Sequence, residues 1–584
     1  VEDEYTTQPQ YHLSMEPCGA LADIDANGRI TLWSANQSVF RVQANVCEAL
    51  SLPMSRLRCL TPKVGAGFGN KMEPHIQPIV VALAMKARKP VKMVLSREED
   101  FETVRARHPF RIRIKTGAKR DGTFVARAVE LLLEGGAFAD DSPGVLGYSL
   151  LMACGPYRFA HARCHGRVAY TNKMRFGAFR GFGNPQVTLA GETQIDEIAS
   201  RLRLDRFEIR LKNAMRQGDR WFGGQKVESN GLIECIEAVR KQLAEVRPRA
   251  PEPGKRHGRG VALCAHISGL LATGAIVRLL EDGTVVLNTG AVDIGQGSDT
   301  VLAQICAESL KLPIEKVAVA SPDTDGSPYN WGTTASRVTY TTGRAVVGAC
   351  AEVERQIKEH AAAILNAGTA DIELRDGGMV AVRGANVSLP LSAISARAHW
   401  AKGGPIVGAK TLVYEDPTID PKRAAASGLP FGAIGVFSFC ALATEIEVDE
   451  TTGKIQPLAA WYAVDVGRAV NPRLVEVQME GGFVQGMGFA LSEELVWDGP
   501  RLANPSLMDY KAPTALEAPH AISTTIIEAL EPDGPFGAKG AGELGIVAVP
   551  AAIANAVTDA TGLRLHDLPL TPERVLEAKL AAGT

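Results

Sequence analysis

The sequence predicts a mixed fold of strands and helices in each of two large halves. Strands are indicated where apolar and polar residues alternate after a turn-like glycine, and helices where apolar residues recur with helical spacing after glycine-rich turns. The predicted strands cover residues 29–34 and 284–288, and the predicted helices cover residues 298–310, 343–367 and 548–561. A chain of 584 residues is long enough for about two to four domains.

A proline-rich segment divides the two halves. Residues 246–258, VRPRAPEPGKRHG, contain three prolines and four lysine or arginine residues, and they show no apolar periodicity. Such a segment favours irregular backbone over a helix or a strand. We therefore expect a first domain at residues 1–245, a linker at 246–258 and a second domain at 259–584.

The composition is that of an ordinary globular protein, with 46% hydrophobic and 22% charged residues. The formal net charge is −2 and no basic block is present, which argues against nucleic-acid binding because phosphates are bound by clustered lysine and arginine. No apolar run approaches the roughly 20 residues that span a bilayer. The acidic first residues do not resemble a signal peptide, so we expect a cytoplasmic protein. Because the chain starts at Val1, we also expect a processed, truncated or split polypeptide.

The ten cysteines lie between Cys18 and Cys440, and no two of them form a C-x-x-C pair. Iron–sulfur clusters and structural zinc sites usually show such close spacing. We therefore expect buried, reduced thiols and neither kind of metal centre in this chain.

Glycine-rich segments are the most informative feature of the sequence. Five of them also carry polar or cationic side chains: GAGFGNK (65–71), GAFRGFGNPQ (177–186), DIGQGSDT (293–300), GTTASRVTYTTGRA (332–345) and GAKGAGELG (537–545). Glycine lets backbone N–H groups approach an anion, and a following helix N-terminus adds a partial positive charge. None of the segments has the Walker pattern or a clean G-x-G-x-x-G with a later acidic residue. This disfavours a standard nucleotide-binding domain and leaves a large anionic cofactor open.

Taken in order, the five segments resemble those of a known family. GAGFGNK, AFRGFGNPQ, DIGQG, SRVT and GAKGAGELG occur in the same order in the molybdenum-binding large subunits of the xanthine oxidase and aldehyde oxidase family of molybdenum hydroxylases. The resemblance extends to LPLTPERVLEA near the end of the chain, and it implies an α+β fold whose two large mixed domains hold a molybdopterin cofactor between them. Family members carry a smaller preceding domain that this sequence does not show. We expect that domain to have been removed or to lie on another chain.

The resemblance also implies roles for individual residues. Gln10, Phe68, Arg180 and Ala335 match residues around the metal, and the amide of Gln10 would hydrogen-bond the oxo group of molybdenum. The metal takes its sulfurs from the pterin, so no protein ligand is needed. The further cofactor contacts implied by the resemblance are Gly67, Gly69, Gly295, Gln296, Gly297, Ser336, Arg337, Thr339 and Gln478.

Glu543, in GAGELG, matches the catalytic base of the family. The family inserts water-derived oxygen into an electrophilic C–H bond, and the resemblance implies that Glu543 accepts a proton while Gln10 positions the oxo ligand. A carboxylate whose pKa is raised toward the working pH would suit this role, so we expect a raised pKa for Glu543. Without the motif, a single loop glutamate would be interpreted as a solvated surface charge.

The substrate pocket is less well determined. Phe182 matches an aromatic residue that stacks on flat substrates, and His266 aligns with a pocket-lining threonine. Met72 stands where purine-oxidising members have a glutamate, with Glu73 adjacent, and Tyr148 lies near the position of their arginine. These departures argue against purine specificity. The AFRGFG loop also lacks the cysteine of the members that oxidise carbon monoxide, which leaves aldehydes and N-heteroaromatic rings as substrates.

The electrons of the reaction must leave through partners, because the sequence shows no iron–sulfur pattern and no flavin site. The resemblance implies an iron–sulfur subunit with [2Fe–2S] clusters, an FAD subunit, and a dimer of heterotrimers. It also implies the cytosine dinucleotide form of molybdopterin that bacterial members usually carry. Two alternatives stay open: reductive dehydroxylation of an aromatic acyl-CoA by the same cofactor, and an inactive cofactor-binding homologue.

Overall fold

The elements predicted from the sequence are all present in the protein. A computed structural model describes residues 1–247, 249, 252–269, 271–400, 403–413 and 435–583. The predicted strands occur at Ile30–Ser34 and Val285–Thr289, and the predicted helices at Ser298–Leu310, Gly343–Leu365 and Val549–Thr561. Observed and predicted ends differ by at most two residues.

The part of the chain before residue 246 alternates strands with helices. Its strands are Glu2–Thr7 (β1), Gly19–Ile24 (β2), Ile30–Ser34 (β3), Leu57–Leu60 (β4), Val91–Val94 (β5), Phe110–Ala118 (β6), Phe124–Gly136 (β7) and His161–Tyr170 (β8). Its helices are Val39–Ala49 (α1), Gln77–Ala87 (α2), Arg97–Thr103 (α3), Ser142–Met152 (α4), Asn184–Leu202 (α5), Arg206–Asn213 (α6) and Leu232–Glu245 (α7).

The later part of the chain is also mixed. Its described strands are Lys255–Ser268 (β9), Thr273–Leu279 (β10), Val285–Thr289 (β11), Val317–Val319 (β12), Ile372–Arg375 (β13), Met379–Val382 (β14), Ser388–Pro390 (β15), Val407–Leu412 (β16), Val436–Asp449 (β17), Ile455–Asp465 (β18), Trp497–Asp498 (β19), Arg501–Leu502 (β20) and Ala521–Ile527 (β21). Its described helices are Ser298–Leu310 (α8), Gly343–Leu365 (α9), Leu391–Trp400 (α10), Pro472–Leu491 (α11), Leu544–Val547 (α12), Val549–Thr561 (α13) and Pro572–Ala582 (α14).

Two four-stranded sheets form in the first half. One has the order β1-β6-β7-β8 and the other has the order β4-β3-β2-β5. In β6, Phe110, Ile112 and Ile114 are buried and alternate with exposed Arg111 and Arg113, because successive side chains of a strand point to opposite faces. Helices α4 and α5 pack against the first sheet, and α1 and α2 against the second. The first sheet thereby supports α4 and the loop before α5, which both reach the site described below.

The second half contains two four-stranded sheets as well. Strands β12-β11-β10-β16 pack against α8 and α9, and strands β21-β18-β17-β9 pack against α7 and α13. Strand β17 is buried along most of its length because helices cover both of its faces. Gly260 in β9 lets α13 approach closely, since a Cβ at that position would overlap the backbone oxygen of Ala552.

The hydrophobic cores do not divide at the proline-rich segment. One core cluster combines Ile112 and Leu131 of the first half with Leu263 and Phe439 of the second. Strand β9 starts at Lys255, so the last four residues of the predicted linker belong to a strand. The first residues of β9 are basic, and only a short stretch of the strand alternates between buried and partly exposed positions. The sequence there therefore resembles a linker.

One helical segment departs from the expectation that no apolar run reaches membrane-spanning length. Among the described residues, Leu544–Thr561 is long and apolar enough by composition, with a mean hydropathy of 1.4. Its residues are 78% buried within the protein, and α13 packs on β9, β17 and α5. The segment therefore lies in a hydrophobic core of the protein.

Candidate active site

All five glycine-rich segments meet at one cavity of about 760 Å³. Two of these segments precede the proline-rich segment in the sequence, and three follow it. The predicted site residues that line the cavity are Gly67, Phe68, Gly69, Arg180, Phe182, Gly295, Gln296, Ser336, Arg337, Thr339, Gln478 and Glu543. The predicted site residues outside the lining are Gln10, Met72, Glu73, Tyr148, His266, Gly297 and Ala335.

The cavity loops are held in strained backbone conformations. Phe68, Phe182, Ala335 and Ser336 have φ values of 55°, 50°, 49° and 49°, in the left-handed region that residues with a Cβ rarely adopt. Surrounding contacts maintain these conformations; for example, the N–H of Arg180 donates to the backbone oxygen of Phe68 at 2.8 Å. Strain of this kind is concentrated at functional sites, where the fold overrides local preference.

Arg180 joins two of the glycine-rich segments and α11 around the cavity. Its Nε donates to the backbone oxygen of Gly542 at 2.8 Å, and one terminal nitrogen donates to the backbone oxygen and Oε1 of Gln478 at 3.1 and 2.9 Å. Burial lowers the pKa of Arg180 to about 10, and Glu543 opposes that change, so the guanidinium stays charged. A single side chain thus ties the AFRGFG loop to α11 and to GAGELG.

Glu543 lies immediately before α12, with 15% of its side chain accessible. Its Oε2 accepts a hydrogen bond from the backbone N–H of Gly181 at 2.8 Å and lies 3.3 Å from Nε2 of His266. Burial alone would raise the pKa of Glu543, but His266, the Gly181 N–H and Arg180 outweigh burial and hold the pKa below its ordinary value. The expectation of a raised pKa is therefore wrong. These groups hold the carboxylate in its ionised form.

Gln10 is buried behind the cavity wall. Its Oε1 accepts from Nε of Arg107 at 2.9 Å, and its Nε2 donates to Oε2 of Glu493 at 2.7 Å and to the backbone oxygen of Gln485 at 3.2 Å. Both amide hydrogens of Gln10 are thus used within the protein. Donation to an oxo ligand would require Gln10 to release one of these two acceptors.

Glu493 lines the cavity and was not singled out from the sequence. Burial raises its pKa to about 7, although hydrogen bonds from Gln10 and Tyr510 and the charge of Arg107 act in the opposite direction. The Tyr510 hydroxyl donates to Oε2 of Glu493 at 2.9 Å. Glu493 occurs in SEEL, outside the glycine-rich segments, so local sequence holds no signal that distinguishes it from a surface glutamate.

The positions aligned with the purine-binding residues face away from the cavity. Met72 is 2% exposed and packs beside Gly332. Glu73 forms an ion pair with Arg41 and accepts a hydrogen bond from the side chain of Asn45. Glu73 is therefore neutralised by α1 and does not contribute charge to the cavity.

Tyr148 and His266 lie behind Glu543 instead of lining the pocket. The Tyr148 hydroxyl is 3.0 Å from Nδ1 of His266, and both residues are nearly inaccessible. Phe182 does line the cavity, and its ring centroid lies 6.1 Å from that of Tyr148. Of the predicted substrate residues, Phe182 alone is placed to contact a bound ring directly.

Several of the predicted cofactor residues stabilise the conformation of the cavity loops through hydrogen bonds. The Gln296 side chain accepts from the N–H of Ile294 at 2.7 Å and donates to Ser298 Oγ at 2.9 Å. Arg337 is fully buried and donates to the backbone oxygens of Leu271 and Ala272 at 3.0 and 2.9 Å. These side chains therefore stabilise the loops around the cavity through hydrogen bonds within the protein.

The residues present fit a phosphate-bearing molybdopterin cofactor. The N-termini of α8 and α11 face the cavity through Ser298 and Asn471, and helix N-termini favour phosphate. A Cβ added at cavity-lining Gly295 or Gly481 would meet no described atom within 4 Å, so both glycines border open space. The lining includes four cations and only two carboxylates, Glu493 and Glu543, which suits an anionic group. Among the described residues, no group of three or more His, Cys, Asp or Glu side chains could hold a metal ion.

Comparison with known proteins identifies the domains. Two family profiles match the chain, both described as molybdopterin cofactor-binding domain, at residues 1–214 and 234–519. The chain is 35% identical to the xanthine dehydrogenase molybdenum-binding subunit of Escherichia coli O157:H7, over 100% of this chain and 77% of the relative. The fold and the cavity thus define a molybdopterin-binding subunit of a molybdenum-dependent oxidoreductase.

Solved structures show the same architecture. Quinoline 2-oxidoreductase from Pseudomonas putida 86 matches 99% of this chain and 76% of its own, with a TM-score of 0.88 and 27% identity. Aldehyde oxidoreductase from Desulfovibrio gigas matches 99% of this chain and 61% of its own, with a TM-score of 0.86 and 27% identity. The chain belongs to the xanthine oxidase family of molybdenum hydroxylases, as the large subunit that binds molybdopterin.

Proposed function

We propose that this subunit catalyses the oxidative hydroxylation of a C–H bond in an N-heteroaromatic or aldehyde substrate, with Glu543 as the proton acceptor. One observation carries the assignment: an ionised, buried carboxylate faces the cavity at the point where the AFRGFG and GAGELG loops meet. Carboxylates that are fixed within reach of a reacting group are common general bases in enzymes.

The bound cofactor supplies an oxygen nucleophile derived from water and a two-electron acceptor. Glu543 then takes the proton of the water whose oxygen enters the product. Arg180 keeps the loop of Glu543 against α11, and the Gly181 N–H holds one carboxylate oxygen. Gln10 supports this side of the cavity through Arg107 and Glu493, and any direct contact with an oxo ligand follows from exchange of one of its hydrogen bonds.

The cavity favours an uncharged, flat substrate. Phe182 offers an aromatic surface, and the glutamate and arginine positions of purine-oxidising members are occupied by Met72 and Tyr148, which do not line the cavity. Two of the relatives are named for quinoline and for aldehydes, and these are the two substrate classes that we propose. Stacking on Phe182 favours the N-heteroaromatic class.

We further propose the cytosine dinucleotide form of the cofactor, with [2Fe–2S] and FAD on partner subunits that receive the electrons. The assembly would contain two heterotrimers. A cytoplasmic location is supported by the thiols: nine of the ten cysteines are buried, and all ten are free in the structure.

The test is Glu543→Gln in the complete molybdenum enzyme, assayed with a dye acceptor against aldehydes and nicotinate-, quinoline- and purine-type rings. We expect turnover to fall by about 100- to 10,000-fold while the molybdenum content per chain is unchanged. A matched control is Glu480→Gln on α11, where 40% of the side chain is accessible. Substantial turnover by Glu543→Gln would refute the assignment of the base.

The wild-type enzyme distinguishes the two alternatives. Reduction of an aromatic acyl-CoA, without oxidation of any ring or aldehyde, would support the reductive alternative. No turnover at full molybdenum content would support an inactive homologue.

A further inference from the structure

A hydrogen-bonded chain of three side chains runs from the protein interior to the cavity. It begins at Tyr148 on α4, whose hydroxyl lies 3.0 Å from Nδ1 of His266 on β9. Nε2 of His266 lies 3.3 Å from Oε2 of Glu543. Tyr148 and His266 are 5% and 2% exposed, so the first two members are sealed from solvent and from the cavity.

The partners of His266 determine which of its nitrogens carries the hydrogen. An ionised carboxylate can only accept, so Nε2 bears a hydrogen, and Nδ1 accepts when the Tyr148 hydroxyl donates to it. The donor to Nδ1 is the Tyr148 hydroxyl, whose oxygen in turn accepts from the N–H of Ile267 at 3.3 Å. Burial holds the pKa of Tyr148 well above its ordinary value, so the phenol keeps its proton. Nε2 is therefore the ring nitrogen that faces Glu543 as a donor.

The two oxygens of Glu543 are not equivalent. Oε2 faces both the Gly181 N–H and His266 Nε2, whereas none of the described residues forms a hydrogen bond to Oε1. A carboxylate oxygen with two donors is a weaker proton acceptor than one with none. Oε1 is therefore the oxygen that remains available on the cavity side.

We propose that Tyr148 and His266 are positioning residues that fix Glu543 so that Oε1 accepts the proton, and that neither of them contacts the substrate. The proposal rests on the proposed role of Glu543 as the base. It replaces the expectation from sequence that Tyr148 and His266 line the substrate pocket. The chain from Tyr148 through His266 to Glu543 does not conduct protons, because proton transfer along it would leave a buried tyrosinate.

The charged and titratable groups that face Glu543 set the expected pH dependence. They are Arg180 in the loop before α5, Arg107 in the segment before β6, His266 on β9 and Tyr148 on α4. Removing the His266 donor leaves burial opposed by fewer groups, so the pKa of Glu543 should rise. The acid limb of the pH profile of kcat/KM should then move to higher pH.

The experiment compares His266→Leu with His266→Gln in the complete enzyme. Leucine removes the donor, whereas the glutamine amide can place an N–H near the position of Nε2. We expect the acid limb to shift upward by about one pH unit in His266→Leu and to return toward the wild-type position in His266→Gln. We expect kcat to fall by roughly 10- to 100-fold in His266→Leu, with KM changed by less than about threefold.

Tyr148→Phe provides a second variant that keeps the ring and removes the donor. We expect KM to remain within about twofold of wild type, because the hydroxyl points to His266 and not to the substrate. An increase in KM with kcat unchanged, in either the Tyr148 or the His266 variant, would show substrate contact and would overturn the proposal.

A readout that does not need turnover separates this proposal from the proposed function. Infrared difference spectra recorded during a pH titration should show a carboxyl band that is absent in Glu543→Gln. The midpoint of that band should lie at higher pH in His266→Leu than in the wild type. An unchanged midpoint would show that His266 does not act on Glu543, and it would overturn this proposal even if Glu543→Gln is inactive. A shifted midpoint would support it even if Glu543→Gln retains turnover and the base is assigned wrongly.

Discussion

The backbone N–H of Gly181 donates to Oε2 of Glu543 at 2.8 Å, across 362 positions of sequence. The contact joins a loop of the first half to a loop of the second. Arg180 reinforces it by donating to the backbone oxygen of Gly542, one residue before Glu543. Neither half of the chain could hold the carboxylate in this orientation alone.

Gly181→Ala tests this contact. Gly181 has a φ of +91°, and an added Cβ would lie 2.7 Å from the Pro185 ring. The loop must therefore shift, and the N–H should lose its alignment with Glu543. We expect kcat to decrease by roughly 10- to 100-fold, together with a lower melting temperature and an unchanged molybdenum content.

The control for this substitution is Gly562→Ala, at the C-cap of α13. Gly562 has a φ of +77° and no described atom within 4 Å of an added Cβ, so alanine there introduces backbone strain without a clash. We expect it to lower stability by about 1 kcal/mol and to leave kcat unchanged. Equal effects of the two substitutions on kcat would show that the Gly181 contact has no specific role.

Glu493→Gln should change how stability depends on pH. Burial raises the pKa of Glu493 to about 7 in the folded protein, above the ordinary value of 4.5. The folded state therefore binds more protons between these values, and the stability from this group is fully present below pH 4.5 and lost as pH rises through 7. Glu493→Gln has no titrating carboxyl at this position, so its stability does not fall with pH in this way.

The measurement is the difference in melting temperature between Glu493→Gln and wild type, taken from pH 5 to pH 8. We expect it to shift in favour of the variant as pH rises, by the equivalent of at most about 3 kcal/mol. Glu480→Gln, on the outside of α11, serves as the control for a lost surface carboxylate. A difference that is constant over the range would contradict the raised pKa of Glu493.

Lys539→Met should be strongly destabilising. Lys539 and Asp465 form a fully buried ion pair at 2.7 Å, and the side chains of both are 0% exposed. Removing the ammonium leaves a buried carboxylate with backbone donors only, from Gly231 and Gly467. We expect a loss of about 3–5 kcal/mol in the free energy of unfolding, measured with urea.

The double variant Lys539→Met with Asp465→Asn should recover part of that loss. The asparagine is uncharged, and its oxygen can still accept from the backbone N–H of Gly231 or Gly467. If the single variant is as stable as the wild type, or the double variant is less stable than the single one, the buried charge does not dominate this site.

The secondary structure and the cavity could be predicted to a large extent. Alternation and helical spacing indicated β3, β11, α8, α9 and α13 within two residues of their ends. The glycine-rich segments predicted a place where backbone approaches an anion, and the structure brings all five of them to one cavity. The proline-rich segment was less informative, because its last residues pair with β17 as part of β9.

Side-chain environments could not be predicted in the same way. Glu543, Glu493 and Glu73 are all glutamates, and the local sequence does not distinguish their surroundings. The fold places Glu543 beside three groups that lower its pKa, buries Glu493 so that its pKa rises, and pairs Glu73 with Arg41. The electrostatic character of each depends on neighbours that are distant in sequence.

The sequence by itself determined the elements, the five glycine-rich segments and, through their order, the family. These features depend on local backbone preference and on short motifs, which neighbouring residues carry. The tertiary structure decided that Tyr148 and His266 stand behind Glu543, that Gln10 is engaged by Arg107 and Glu493, and that Glu543 is ionised. Those properties arise from burial and from contacts between residues hundreds of positions apart, and both are set only when the two halves pack together.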